Sequence, residues 1–248
     1  MNDAYDDPRL STAARLLAEG RSDAAADLLL EAWTADPDNL DLAIAYASTL
    51  ARSSREAEAE ELFSTLADDC PRDARIWNNW GYLLLTRGEP ERAVKKLETA
   101  LELAPDDFEA MVNMGIALDR LGRSDDSLGF YRRALGVHPD SAVVYNNMGA
   151  ALWRSNNPEA ALDAFRSALR LNPRDASAAN NMGIINMASG AYAEAEGYFK
   201  QALEIDPDSQ AARRNLAAAT RQRKLAEKSG THEDKENNTC EEKPSSLF

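Results

Sequence analysis

The chain has 248 residues, 42 acidic against 28 basic side chains, and a formal net charge of −14. That balance argues against nonspecific nucleic-acid binding, which needs basic clusters facing phosphate, and it favours solubility. No apolar run is long enough to cross a bilayer, the opening Met1 to Arg9 is too acidic and polar for a secretory signal, and Cys70 and Cys240 stand apart without a disulfide pattern, so no membrane insertion and a cytoplasmic setting are expected.

After a short N-terminal extension, 1–5, six prolines stand 34 residues apart: Pro37, Pro71, Pro105, Pro139, Pro173 and Pro207. A fixed period of this length marks one supersecondary unit stacked on copies of itself. Each proline closes one unit, which gives registers 6–39, 40–73, 74–107, 108–141, 142–175 and 176–209. The closing residues are Asn39, Asp73, Asp107, Ser141, Asp175 and Ser209, all with a side-chain oxygen suited to cap the next helix. The fifteenth position of each unit is Gly20, Ser54, Gly88, Gly122, Asn156 or Gly190, where a helix ends and the chain turns. Apolar residues recur at helical spacing, as in Trp77, Trp80, Leu84, Leu85, Val94, Leu97 and Leu101. Small residues recur where two helices must approach closely. One row is Ala13, Ala47, Gly81, Gly115, Gly149 and Gly183; another is Ala25, Ala59, Ala93, Ser127, Ala161 and Ala195. Nothing reads as a strand, so the expected class is all-α. Residues 210–228 continue the helical pattern with a polar, basic face and are read as a capping helix. From Ser229 to Phe248 the apolar period is lost, which predicts a disordered polar tail.

Trp77, Trp80, Gly81, Leu84, Ala93, Leu97, Ala100 and Pro105 resemble the tetratricopeptide repeat (TPR) signature in period and residue type. The likeness covers 6–209 and is strongest in repeats three to six. Repeats one and two depart from it, with Arg9 and Ala43 where a large aromatic is usual. The resemblance implies a right-handed superhelical solenoid of six helix-turn-helix units plus a C-terminal capping helix.

In that architecture the first helix of each repeat lines a concave face, with its second, fifth, sixth, ninth, twelfth and thirteenth positions turned inward. The sixth position reads Asn79, Asn113, Asn147, Asn181 and, in the cap, Asn215, while Asn78, Asn146 and Asn180 double the amide at the fifth. A carboxamide carries a donor and an acceptor and so matches a peptide N–H and C=O. Helices pack about 8–10 Å apart and an extended chain rises about 3.3 Å per residue, so one asparagine per repeat meets roughly every third residue of a bound strand. The row resembles the asparagine ladder in the TPR region of the O-linked N-acetylglucosamine transferases, whose groove holds extended peptide backbone. The other reading is that these amides bond neighbouring helices. Around them the offsets place Arg75, Tyr82, Val112, Ile116, Arg120, Trp153, Arg154, Ile184, Met187, Arg214 and Arg221, with Glu109 and Asp119 as the acidic exceptions. An acidic or mixed extended segment with apolar anchors fits that wall. The alternative is that Arg120 and Arg154 pair with nearby carboxylates. The basic carboxylate clamp that co-chaperone repeats use for heat-shock-protein C-termini does not fit, because the fifth positions Leu10, Ile44, Asn78, Val112, Asn146 and Asn180 include no basic residue.

No catalytic constellation emerges. His138 and His232 are far apart in the sequence, and Gly81, Gly115 and Gly149 lie at helix packing positions and not in a phosphate loop. The expected function is a non-enzymatic adaptor or assembly factor that needs no cofactor or metal and holds an extended segment of another protein in repeats three to six. The alternatives are an oligomeric scaffold that self-associates through its divergent N-terminal repeats or its cap, and a regulatory subunit of a separately encoded enzyme.

Overall fold

The computed structural model describes the backbone of residues 7–238 and the side chains of residues 7–228. Among these residues every regular element is an α-helix. The chain divides into two compact units, Met1–Pro139 and Asp140–Phe248.

The first unit holds four helix pairs. These are α1 (Pro8–Ala18) with α2 (Ser22–Ala35), α3 (Leu40–Arg52) with α4 (Glu56–Asp69), α5 (Ala74–Thr86) with α6 (Pro90–Leu103), and α7 (Phe108–Arg120) with α8 (Ser124–Val137). The second holds α9 (Ala142–Arg154) with α10 (Pro158–Leu171), α11 (Ala176–Ala188) with α12 (Tyr192–Ile205), and a terminal α13 (Gln210–Asn238). Within each unit a first helix packs on its own second helix and on the next first helix, as α5 does on α6 and α7, and α11 on α12 and α13.

The local reasons are those the sequence offered. Asn39, Asp73, Asp107, Ser141, Asp175 and Ser209 each accept from a backbone N–H in the first turn that follows, as Asp107 Oδ1 does from Ala110 N at 2.9 Å. All six fifteenth positions adopt positive φ, including Ser54 at 60° and Asn156 at 56°, where a side chain tolerates the left-handed region less easily than glycine. The first repeat starts late. Its helix begins at Pro8, capped by Asp7, because Tyr5 stands where the other repeats carry a capping side chain.

The two rows of small residues are where helices of a pair touch. Ala25, Ala59, Ala93, Ser127, Ala161 and Ala195 are fully buried. A Cβ added to Gly81, Gly115, Gly149 or Gly183 would come within 3 Å of Leu97, Tyr131, Phe165 or Phe199, each sixteen residues on. The glycine is thus the socket and the large side chain of the second helix is its plug. In the first unit these contacts join a core running from Ala13 to Leu118. In the second, Ala195, Phe199 and Ala219 pack together, with Ile184, Met187 and Leu216 against them.

Around α4–α6 the packing is partly ionic. Glu60 bonds both Arg87 and Arg92, and Glu89 bonds the same two at 2.8 and 2.5 Å, closing a four-membered ring of charges. Beside it Trp77 and Trp80 stack at 5.9 Å, and the Lys96 ammonium sits 3.4 Å from the Trp80 ring centroid. Burial lowers the Lys96 pKa there.

The terminal helix is longer than the expected cap. It does not stop at 228 but runs to Asn238, through residues 229–238 where no regular structure is predicted. Extending a helix costs far less than starting one, and no proline interrupts the stretch before Pro244. The rest of the predicted disordered tail, 239–248, lies outside the described residues. Glu196, 7% exposed, holds α13 to α12 by accepting from Arg223 Nε at 2.7 Å. This contact and a bond from Thr220 keep the Glu196 carboxyl below its ordinary pKa. Among the described residues no helix is long and apolar enough to cross a membrane.

Candidate functional site

In the first unit the first helices α3, α5 and α7 present a depression of about 350 Å³ lined by Arg52, Asn78, Asn79, Tyr82, Phe108, Glu109, Val112 and Asn113. Asn78 and Val112 form buried parts of its wall, whereas Tyr82 is 51% exposed. Arg52 and Glu109 supply opposite charges at its rim, both exposed and without an ion pair among the described residues. Ile116 is half-buried against the core.

The asparagines follow a rule that their sequence positions hide. Asn113 Nδ2 donates to Asn78 Oδ1 at 2.9 Å. In the second unit Asn181 Nδ2 donates to Asn146 Oδ1 at 3.3 Å, and Asn215 Nδ2 to Asn180 Oδ1 at 3.0 Å. Each bond joins a sixth position to the fifth position of the repeat before, 35 residues back. Where that fifth residue is Ile44, no acceptor exists. Asn79 then donates to Arg75 O at 2.8 Å within its own helix and accepts from Ser48 Oγ at 3.3 Å. The fifth residue preceding Asn147 in the same way is Val112, and Asn147 makes no side-chain hydrogen bond among the described residues. The doubled amides are therefore pairs. Each pair spends one amide donor and one carbonyl acceptor between helices and keeps further hydrogen-bonding capacity, part of which Asn146 uses in donating from Nδ2 to Ser177 Oγ at 3.5 Å.

The expected basic wall is largely engaged. Arg75 is held by Asp73 at 2.7 Å and by Asp41 of the preceding repeat, and these bonds raise its pKa. Arg120 donates to the Leu85 carbonyl near the end of α5, which also accepts from Gly88 N at 3.1 Å, and not to a carboxylate. Arg154 lies at the end of α9, where burial lowers its pKa. Ile184 and Met187 face the α11–α13 packing and are only partly available. Of the charges on this face, Arg214 and Arg221 of α13 are exposed.

The sequence reading missed what repeat two supplies. Ser48 and Arg52 occupy the ninth and thirteenth positions of the same offset series, but that repeat's departure from the consensus drew attention away from them. It also missed a second depression, about 410 Å³, among α6, α7 and α8. Val94, Met114, Leu118 and Phe130 line it.

Tetratricopeptide repeat family profiles match residues 16–78, 78–142 and 146–210. Solved structures with the same fold include the APC/C hetero-tetramer Cut9–Hcn1, at 20% identity and a TM-score of 0.70, covering 90% of this chain and 44% of that one. PilF of Pseudomonas aeruginosa matches at 19% identity and a TM-score of 0.68, over 86% of this chain and 96% of its own. MamA of Desulfovibrio magneticus RS-1 matches at 20% identity and a TM-score of 0.61, over 68% and 96%. The chain thus spans less than half of the Cut9–Hcn1 chain it matches, and likeness at this identity carries the fold alone. No curated protein is matched as a relative. With helix pairs, left-handed turns, glycine sockets and matching profiles over most of its length, the chain belongs to the tetratricopeptide repeat family.

Proposed function

We propose that the protein is a non-catalytic, cytoplasmic adaptor or assembly factor that holds an extended segment of another protein on its first-helix faces. TPR proteins generally mediate protein–protein interaction and assembly. The observation that carries the finer reading is the depression at α3, α5 and α7. It combines an amide pair with spare donor and acceptor capacity, an exposed tyrosine, and an arginine and a glutamate without ionic partners among the described residues. Such a surface suits a peptide backbone whose side chains are mixed in charge and include an apolar anchor against Tyr82 and Val112. In the second unit the Asn146–Asn181 and Asn180–Asn215 pairs offer the same chemistry.

Because Arg75 and Arg120 are engaged, Arg52 is the cation that selects an acidic side chain in the first unit. The test is a display library of extended peptides selected on the full chain, followed by calorimetry with Tyr82→Ala and Arg52→Ala. Both variants should weaken a selected peptide by about tenfold, which is about 1.4 kcal/mol. Unchanged affinity in both would place the binding surface elsewhere.

A further inference from the structure

Charge is distributed very unevenly along this chain. Residues 1–73 contain 17 acidic and 6 basic side chains, a net of −11 out of −14. Residues 210–228 contain 6 basic and 1 acidic, a net of +5. The first stretch belongs to the unit Met1–Pro139 and the second to the unit Asp140–Phe248.

The last helix presents an uncovered face, and the second helix presents an acidic solvent side. Each of α5, α7, α9 and α11 is covered by the second helix of its own repeat. The terminal α13 occupies the place of another first helix, since it packs on α11 and α12, yet no second helix covers it among the described residues. Its inner side is settled by Ala212 and Ala219, both fully buried, and by the Arg223–Glu196 bond. Its outer side carries Arg214, Ala217, Ala218, Arg221, Lys224 and Leu225, all exposed, Leu225 by 51%. Arg214, Arg221 and Lys224 have no ionic partner among the described residues. In the first unit, α2 shows Asp23, Asp27 and Glu31 in successive turns of one exposed face, with Leu30 39% exposed beside them. These carboxylates also lack ion pairs among the described residues.

The two stripes match in length and chemistry. At about 1.5 Å per residue, Arg214 to Lys224 spans about 15 Å and Asp23 to Glu31 about 12 Å. Each has one exposed leucine among its charges, and the small Ala217 and Ala218 allow a facing helix to approach closely. Residues so charged and so free gain little by staying apart, because opposite charges separated by less than a Debye length of about 10 Å attract appreciably. A heterologous contact of this kind uses a different patch on each partner, so an open assembly retains one free patch of each sign.

We infer that the occupant of the α13 face is a second copy of this chain, docked through the acidic face of its α2, head to tail. This surface adjoins the asparagine face, since Arg214 flanks Asn215, but the inference does not rest on a role for that face in peptide binding.

Sedimentation velocity on the full chain tests it, at about 50 mM and about 500 mM NaCl, because screening weakens exposed charge pairs. The wild type should associate with rising concentration at the lower salt and come apart at the higher. Asp23→Lys/Asp27→Lys and Arg221→Glu/Lys224→Glu should each weaken association by about tenfold or more. An equimolar mixture of the two variants should associate again, since each then offers the charge the other lacks. All four side chains are exposed, and circular dichroism verifies that the variants keep their helices. A wild type that remains monomeric at low salt overturns the inference. So does association that survives both reversals, or a mixture that fails to restore it.

Discussion

Alanine at Asn147 and alanine at Asn113 should separate the two jobs an asparagine can do in this array. Asn113 donates at 2.9 Å to Asn78, which is only 4% exposed. Truncating Asn113 leaves the Asn78 carbonyl without its partner in a place water reaches poorly, so the expected cost is about 1–3 kcal/mol. Asn147 makes no side-chain hydrogen bond among the described residues, and its truncation should change stability by no more than about 0.5 kcal/mol. The double variant Asn78→Ala/Asn113→Ala should show a coupling of about 0.5–1.5 kcal/mol. Urea titration followed by circular dichroism measures all of these as midpoint shifts. Binding of a display-selected peptide supplies the second axis. If Asn147 meets a peptide backbone, Asn147→Ala should lose one or two bonds and about tenfold in affinity at unchanged stability. Equal destabilisation by the two single substitutions would refute the pairing rule. A silent Asn147→Ala on both axes would refute the peptide-holding role.

The glycine sockets predict that one substitution can have two outcomes in the same unit. In Gly183→Ala the new methyl meets the Phe199 ring at 2.5–2.8 Å, whereas in Gly197→Ala it meets nothing within 4 Å. The latter should stabilise by about 0.5–1 kcal/mol, and the former should fall below it by about 1–3 kcal/mol of overpacking; equal urea midpoints would contradict the packing. Replacing Ala93, fully buried between α5 and α6, with leucine should cost about 1–3 kcal/mol, to be read from the same titration. Glu196 should make the docking of α13 sensitive to acid. Its folded pKa is depressed below 4.5, so its contribution is complete above that value and is lost as pH falls through the folded pKa. Protection of α13 amides, taken relative to the intrinsic exchange rate at each pH, should therefore fall in acid, and Glu196→Gln should remove that dependence while loosening α13 at neutral pH.

Much of the fold was legible because its determinants are local or strictly periodic. Capping at Asp107 depends on one side chain and a helix start, and the left-handed turn at Gly122 on one backbone angle. The sockets at Gly81 and Gly115 follow from a fixed offset to the second helix. The site was less legible because its determinants depend on choice among neighbours. Arg75 has Asp41 and Asp73 within reach and takes both, so its charge is spent before a ligand arrives. The Asn113–Asn78 bond links positions that are one residue out of phase with the repeat, and that pairing appears only once adjacent helices are set side by side. Arg9 and Ala43 depart from the signature in repeats one and two, and Arg52 and Ser48 went unnoticed with them. At the other end, composition alone marked 229–238 as irregular, although a helix already fixed by Glu196 and Arg223 carries on through it.

The stacked indoles beneath Lys96 have an optical consequence. Three of the four tryptophans, Trp33, Trp77 and Trp80, lie in the unit Met1–Pro139, and Trp153 alone in the other. Trp77 and Trp80 also share a cation within 5.0 Å of each ring centroid. Emission from this protein is therefore weighted heavily towards one half of the chain, while far-ultraviolet ellipticity samples the helices of both. Comparing the two signals along a single denaturation curve converts an accident of residue placement into a measure of cooperativity. Curves that coincide mean that the array unfolds as one body, and curves that separate give the stability of each half without a label or a truncation.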